Sequence, residues 1–171
     1  TNGGADIHLV LARTEPGSTD GRGLSLFLCD RADGGISVRR LARKMGICGT
    51  PTATLVFHEA PAQLLGDRRM GLIKYVMALM NNARLGVAAQ AAGLSEACWR
   101  EAARYAAGRR QFGRPVGEMA QVKELLDTIR ARTDAVRSLL FLAARQADLA
   151  RESKPAARLT ELLTPLAKFA A

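Results

Sequence analysis

The sequence predicts an α+β chain: a partial antiparallel β-barrel or sheet, then part of an antiparallel four-helix bundle of long helices. Three observations carry this reading. Short apolar or alternating runs, separated by turn residues, fill residues 1–62. After Gly66 the apolar period changes to about 3.6. Prolines stand at Pro61 and Pro115 with none between, so one helix can run uninterrupted through that interval.

Four runs read as strands: Ile7 to Ala12, Leu24 to Cys29, Ile36 to Leu41 and Thr52 to Phe57. Pro16-Gly17-Ser18, Asp33-Gly34-Gly35 and Gly46 to Pro51 supply the turns between them. A sheet this small is marginal alone, and the chain opens at Thr1 without an initiator Met, so preceding strands are expected. Residues 1–62 are therefore assigned to one domain and residues 63–171 to a helical one.

In the helical part Leu72, Ile73, Val76, Leu79, Met80, Ala83 and Val87 fall on one stripe. Ala91, Leu94, Cys98 and Ala102 extend it, which predicts a first helix from about Met70 to Ala107 with that stripe inward. Pro115 suits the first turn of a second helix, whose inward face reads Val122, Leu125, Leu126, Ile129, Val136, Leu139, Leu140, Leu142 and Ala143. Ser153-Lys154-Pro155 ends it, and a third helix follows from about Ala156, with Pro165 bending it or marking its last turns. The pattern is still running at Ala171, so a fourth helix is expected beyond it.

Composition narrows the class. Of 171 residues, 48% are apolar and 5% aromatic, an alanine- and leucine-rich balance suited to packed helices. No apolar run is long enough to span a bilayer, and no secretory signal opens the chain. Cys29, Cys48 and Cys98 are odd in number and lack metal-ligand spacing, which suits a reduced, cytoplasmic interior and core positions for all three. Met70, Met77 and Met80 read as core, Trp99 as packing at a helix interface, and His8 and His58 as structural.

Charge is uneven. The net charge is +9, and residues 67–171 hold 18 Lys and Arg against 10 Asp and Glu. Such an excess attracts nucleic acid, membrane surface or phosphorylated small molecules. It is sharpest in Tyr105-Ala106-Ala107-Gly108-Arg109-Arg110-Gln111-Phe112-Gly113-Arg114-Pro115, which joins the first two helices. Arg109, Arg110 and Arg114 can be a solvated helix end favoured by the macrodipole. Alternatively they receive an anion, and a cofactor phosphate is a good candidate.

Four anchors then occur in order: Thr1-Asn2-Gly3-Gly4-Ala5-Asp6; Lys44-Met45-Gly46 with Thr50-Pro51-Thr52; Leu79-Met80-Asn81-Asn82-Ala83-Arg84-Leu85; and the Arg109 to Pro115 corner. Together they resemble the acyl-CoA dehydrogenase family of flavoenzymes. The resemblance covers the last two-thirds of that family's middle β-domain and the first part of its C-terminal helical bundle. Met80 to Arg84 and Leu163 to Lys168 look most like a larger bacterial subgroup with an extra C-terminal domain.

The resemblance implies FAD as cofactor and α,β-dehydrogenation of an acyl-CoA thioester, the chemistry of fatty acid β-oxidation. A carboxylate takes the α-proton while flavin N5 takes the β-hydrogen as hydride. By position, Thr1 matches the threonine whose hydroxyl bonds flavin N5. Arg109 matches the arginine that reaches the FAD pyrophosphate of a neighbouring subunit, and Gln111 and Phe112 fall on adjacent FAD-contacting positions. Arg84 and Asn81 match positions lining the acyl-CoA pocket. A homodimer or homotetramer and an electron-transfer flavoprotein acceptor are implied as well.

Departures from the family pattern bound this. The usual catalytic glutamate lies on a later helix, outside these residues. The alternative base position, directly before the helix arginine, holds Ala83, which takes no proton. Family members often have Gln five residues after the corner proline, where this chain has Ala120. No Gly-x-Gly-x-x-Gly fingerprint occurs. Two other readings stand beside the dehydrogenase: a non-catalytic relative using its basic helices on nucleic acid, which steep salt dependence would reveal, and an acyl-CoA oxidase.

Overall fold

A computed structural model describes residues 2–171. The chain falls into two compact units, Thr1–Ala78 and Leu79–Ala171. In the first, alternation decides which side chains go inward. Strands β1 (Ile7–Arg13) and β2 (Leu24–Asp30) pair antiparallel in unbroken register, placing His8 opposite Cys29 and Val10 opposite Phe27. A two-residue strand, β5 (Gln63–Leu64), pairs on the other side of β2. Strands β3 (Ile36–Leu41) and β4 (Ala53–Phe57) form a separate ribbon, with a register shift between Val38 and Arg40. His8, Ser25, Leu26, Cys29 and Ala53 are buried, and the His8 ring meets Phe57 edge-on at 6.3 Å between centroids.

The approach to the long helix is pinned to β2. Ser25, fully buried, shares a hydrogen bond with the Thr14 hydroxyl at 2.8 Å, and its Oγ accepts from the Arg69 amide at 2.9 Å. Two residues on, Gly71 lies flush against the strand: a Cβ there would sit 2.6 Å from the Leu26 nitrogen and the Ser25 carbonyl carbon. Only glycine permits that approach. Gly71–Val76 winds as a π-helix and runs directly into α1 (Met77–Gly108). At its start the Tyr75 hydroxyl accepts from the Asp67 amide and donates to the Asp67 carboxylate, each at 3.0 Å.

The second unit holds most of α1, the helix α2 (Ala120–Leu149) and α3 (Lys154–Ala170). Ser153 caps α3 by accepting from the Ala156 amide at 3.4 Å, and Pro155 occupies its first turn. Pro155 therefore opens the third helix instead of ending the second. Pro165 lies inside α3. Among the described residues no helix is long and apolar enough to cross a membrane.

The inward stripe expected for the first helix is corrected. Ile73, Leu79, Met80, Val87, Leu94 and Cys98 are exposed, while Ala88, Ala92 and Ala106 are buried. Ala88 of α1 joins Ala143 of α2 with Leu163 and Ala167 of α3 in one buried cluster, flanked by Leu85, Leu139 and Leu140. On α2, Ala143 is buried and Leu139 and Leu140 half-buried as expected, but Leu125, Ile129 and Leu142 are exposed. Cys29 alone of the cysteines is buried; Cys48 and Cys98 are exposed. Met70, Met77 and Met80 are exposed too, not core.

Midway along the pair, polar contacts join α1 to α2. Glu96 accepts from Arg100 at 2.8 Å, from Arg130 at 3.4 Å and from Arg137. Asp134 pairs with Arg130 at 2.8 Å and with Arg137 at 3.6 Å. The Arg130 guanidinium also stacks over Trp99, 4.7 Å from its centroid, which makes Trp99 the interface residue the sequence suggests. Bonds from Arg100 and Arg137 outweigh desolvation and hold the Glu96 carboxyl below its ordinary range. Stability from a lowered carboxyl is present above the unfolded-state value and lost as pH falls through the folded one.

Glu96→Gln should therefore lower thermal stability at neutral pH and lessen the loss on acidification below about pH 4.3. Melting curves across that range would show parallel behaviour of the two proteins if Glu96 were only a surface group. Gly71→Ala should destabilise by about 1–3 kcal/mol through overpacking against β2, read in chemical denaturation; an unchanged midpoint would refute the close contact.

Candidate functional site

The sequence-predicted site residues fall at two stations on the helical unit. Thr1 lies outside the described residues. Arg84 and Asn81, one turn apart on α1, are brought together: the Arg84 guanidinium donates to the Asn81 side-chain oxygen at 2.9 Å. Both are half-buried, and Arg84 has no carboxylate within ion-pair distance among the described residues. Bonding to Arg84 engages the Asn81 oxygen and leaves its amide N–H groups as donors. The pair is thus a cluster of donors with no anion of its own, set in the apolar stripe of Leu79, Met80 and Val87.

Twenty-five positions further along, about 37 Å of helix at 1.5 Å per residue, the chain turns. The Arg109 amide still donates to the Tyr105 carbonyl at 2.8 Å, and the Arg109 carbonyl accepts from Val116 at 2.7 Å. Between these bonds lies a tight hairpin of β6 (Arg110–Gln111) and β7 (Arg114–Pro115), with Arg110 opposite Pro115. Pro115 is thus a strand residue, not the first turn of α2. A 3-10 turn, Val116–Glu118, separates it from that helix. Pairing consumes the backbone here, and proline tolerates an edge position of so short a ladder.

Phe112 and Gly113 form the hairpin tip with φ of 50° and 80°, the signs of a type I′ turn. Asparagine or glycine is the favoured residue at the Phe112 position, and an aromatic side chain is strained there. The residue is 92% exposed. The Arg110 guanidinium donates to the Gly113 carbonyl at 2.6 Å and braces the tip. That brace is a residue role the sequence reading missed; its only signal was an arginine three positions before the turn glycine.

Arg109, Gln111 and Arg114 are exposed, and neither Arg109 nor Arg114 has a carboxylate within ion-pair distance among the described residues. Beside them Glu101, Arg104, Tyr105, Gly108 and Arg109 line a depression of about 420 Å³. Its one acid, Glu101, is already paired with Arg104 and raises the affinity of that guanidinium for its proton. The corner accordingly offers two unpaired guanidinium forks, an amide and a presented ring. Forked donors match the spacing of phosphate oxygens, and the ring offers a face to a flat group. This donor set fits a nucleotide diphosphate. The structure keeps the two stations apart on one helix, so a ligand at one does not touch the other.

Comparison with known proteins identifies the family. The family described as "Acyl-CoA dehydrogenase, C-terminal domain" matches residues 73–171. An acyl-CoA dehydrogenase of Bacillus subtilis is 39% identical over 149 residues, covering 84% of this chain and 38% of that protein. The 3-methylmercaptopropionyl-CoA dehydrogenase of Ruegeria pomeroyi is 33% identical over 187 residues, covering 95% of this chain and 32% of that protein. Among solved structures, butyryl-CoA dehydrogenase from Megasphaera elsdenii superposes with a TM-score of 0.82 at 28% identity, over 96% of this chain and 43% of that one. The chain thus spans less than half the length of these relatives, and over that span it belongs to the acyl-CoA dehydrogenase family.

Proposed function

We propose that this chain is part of an FAD-dependent acyl-CoA dehydrogenase subunit, with residues 1–62 completing its middle β-domain and residues 63–171 opening its helical domain. The hairpin corner carries the reading: a strained, exposed phenylalanine beside two arginines with no acidic partner among the described residues. Arg109 would hold the cofactor diphosphate of a neighbouring subunit in a homo-oligomer, with Gln111 and Phe112 contacting the same nucleotide. Bound flavin supplies a hydride acceptor. Thr1 would donate its hydroxyl toward flavin N5, and the Arg84–Asn81 pair would orient the acyl-CoA on α1. Ala83 cannot accept a proton, so a carboxylate elsewhere in the subunit would take the α-proton. Electrons would leave to an electron-transfer flavoprotein.

Arg109→Ala in the full-length protein should weaken FAD retention by roughly ten- to a hundredfold, the worth of a charge-assisted bond. Flavin absorbance per subunit after purification measures this, and full occupancy would remove Arg109 from the site. Phe112→Asn should split two readouts: the turn gains stability because asparagine accepts positive φ, while flavin retention falls. If both rise together, the ring has no ligand role. Thr1→Val should slow flavin reduction by an acyl-CoA more than it weakens acyl-CoA binding. Rapid-mixing absorbance with a binding titration separates the two, and equal losses would make Thr1 structural.

A further inference from the structure

The ribbon of β3 and β4 carries an uneven charge of its own. From Gly34 to His58 the chain contains Arg39, Arg40, Arg43 and Lys44 and no acidic residue. Asp33 and Glu59 adjoin the end where Ile36 pairs with Phe57. The cations gather toward the opposite end, where Leu41 pairs with Ala53 and the connecting loop begins. Arg39, Arg40 and Arg43 are exposed and have no ion-pair partner among the described residues.

The loop is closed by its own hydrogen bonds. The Ala42 amide donates to the Thr52 carbonyl at 2.8 Å and the Thr50 amide to the Ile47 carbonyl at 3.3 Å. Lys44 Nζ donates to the Thr50 carbonyl at 2.7 Å. At the end so formed, Met45 is fully exposed and Ile47 is 65% exposed, with Leu41 exposed at the base. Ile47 also has a φ of 52°, a left-handed conformation that a β-branched side chain rarely adopts and that glycine or asparagine would occupy at less cost. An apolar side chain held in a strained backbone and largely open to solvent points to contact with something else.

We propose that this loop is a docking tip for an anionic lipid surface. Met45 and Ile47 enter the headgroup boundary while Arg39, Arg40, Arg43 and Lys44 stay at the phosphate level, their stems lying along the apolar side chains. A protein partner fits less well, because a stable protein interface needs about 800 Å² from each side, and this tip is a few side chains at the end of a two-stranded ribbon. A lipid boundary accepts so small an insertion. Apolar insertion or charge alone gives weak, reversible binding, whereas the two together give stable attachment. Each cation brought to an anionic surface strengthens binding roughly fivefold.

Cosedimentation of the full-length protein with vesicles tests this, comparing phosphatidylcholine alone with an equal mixture of phosphatidylcholine and phosphatidylserine. Expected is binding to the mixed vesicles that weakens as salt is added, and little binding to phosphatidylcholine alone. The double variant Met45→Asp, Ile47→Asp should lose roughly tenfold or more, as should Arg40→Glu with Arg43→Glu. Ile47→Gly guards against a folding artefact: it should leave the protein at least as stable in a melting curve while still lowering binding. No binding at low salt, equal binding to both vesicles, or tip variants that bind like the parent would each overturn the proposal. Competition by polyglutamate without any vesicle binding would also overturn it and assign the patch to an acidic protein.

Discussion

The carboxylate of Glu96 ties α1 to α2 within the helical unit. Toward its partners α1 presents mainly alanine, and an alanine methyl removes little apolar area from water, so dispersion and burial hold these helices only lightly. Glu96 adds direction. It meets Arg130 and Arg137, which stand seven residues apart on α2, so the contact fixes how far α1 has slid along α2 as well as their separation. The hairpin joining the two helices inherits that alignment, and with it the placing of Arg109 and Phe112.

Much of the fold is legible in the sequence because its signals are local. The strand Ile36–Leu41 matches its apolar run residue for residue, and the other three long strands match within one position, since alternation bounded by Gly, Pro and Asp needs no tertiary knowledge. The inward face of α1 is not legible in that way. Both a bulky and an alanine stripe carry helical spacing, and only the partner's approach decides between them. The corner hairpin is hidden for a different reason: its tip reads Phe-Gly where Asn-Gly would have announced a type I′ turn. Within the candidate site, Arg109, Gln111 and Phe112 are neighbours in sequence, and Asn81 and Arg84 are one turn apart, so each group could be read directly. The tie between Glu96 and α2 could not, because it spans 34 and 41 residues of chain.

Two of the four described non-glycine residues with positive φ, Phe112 and Ile47, share a setting: both are apolar and both lie open to solvent. Neither choice is what local stability favours, and each sits near arginines that have no acidic partner among the described residues. Where a chain keeps an unfavourable residue at an exposed turn tip, the side chain is worth more to an external contact than to the fold.

The π-helical winding of Gly71–Val76 widens the backbone where it meets the sheet. It begins at the glycine that lies flush against Ser25 and Leu26, so the irregular turns and the close approach occupy one place in the chain. Within the same stretch the hydroxyl of Tyr75 reaches back to both the amide and the carboxylate of Asp67. A wide-wound segment thereby carries its own latch at the point where sheet gives way to helix.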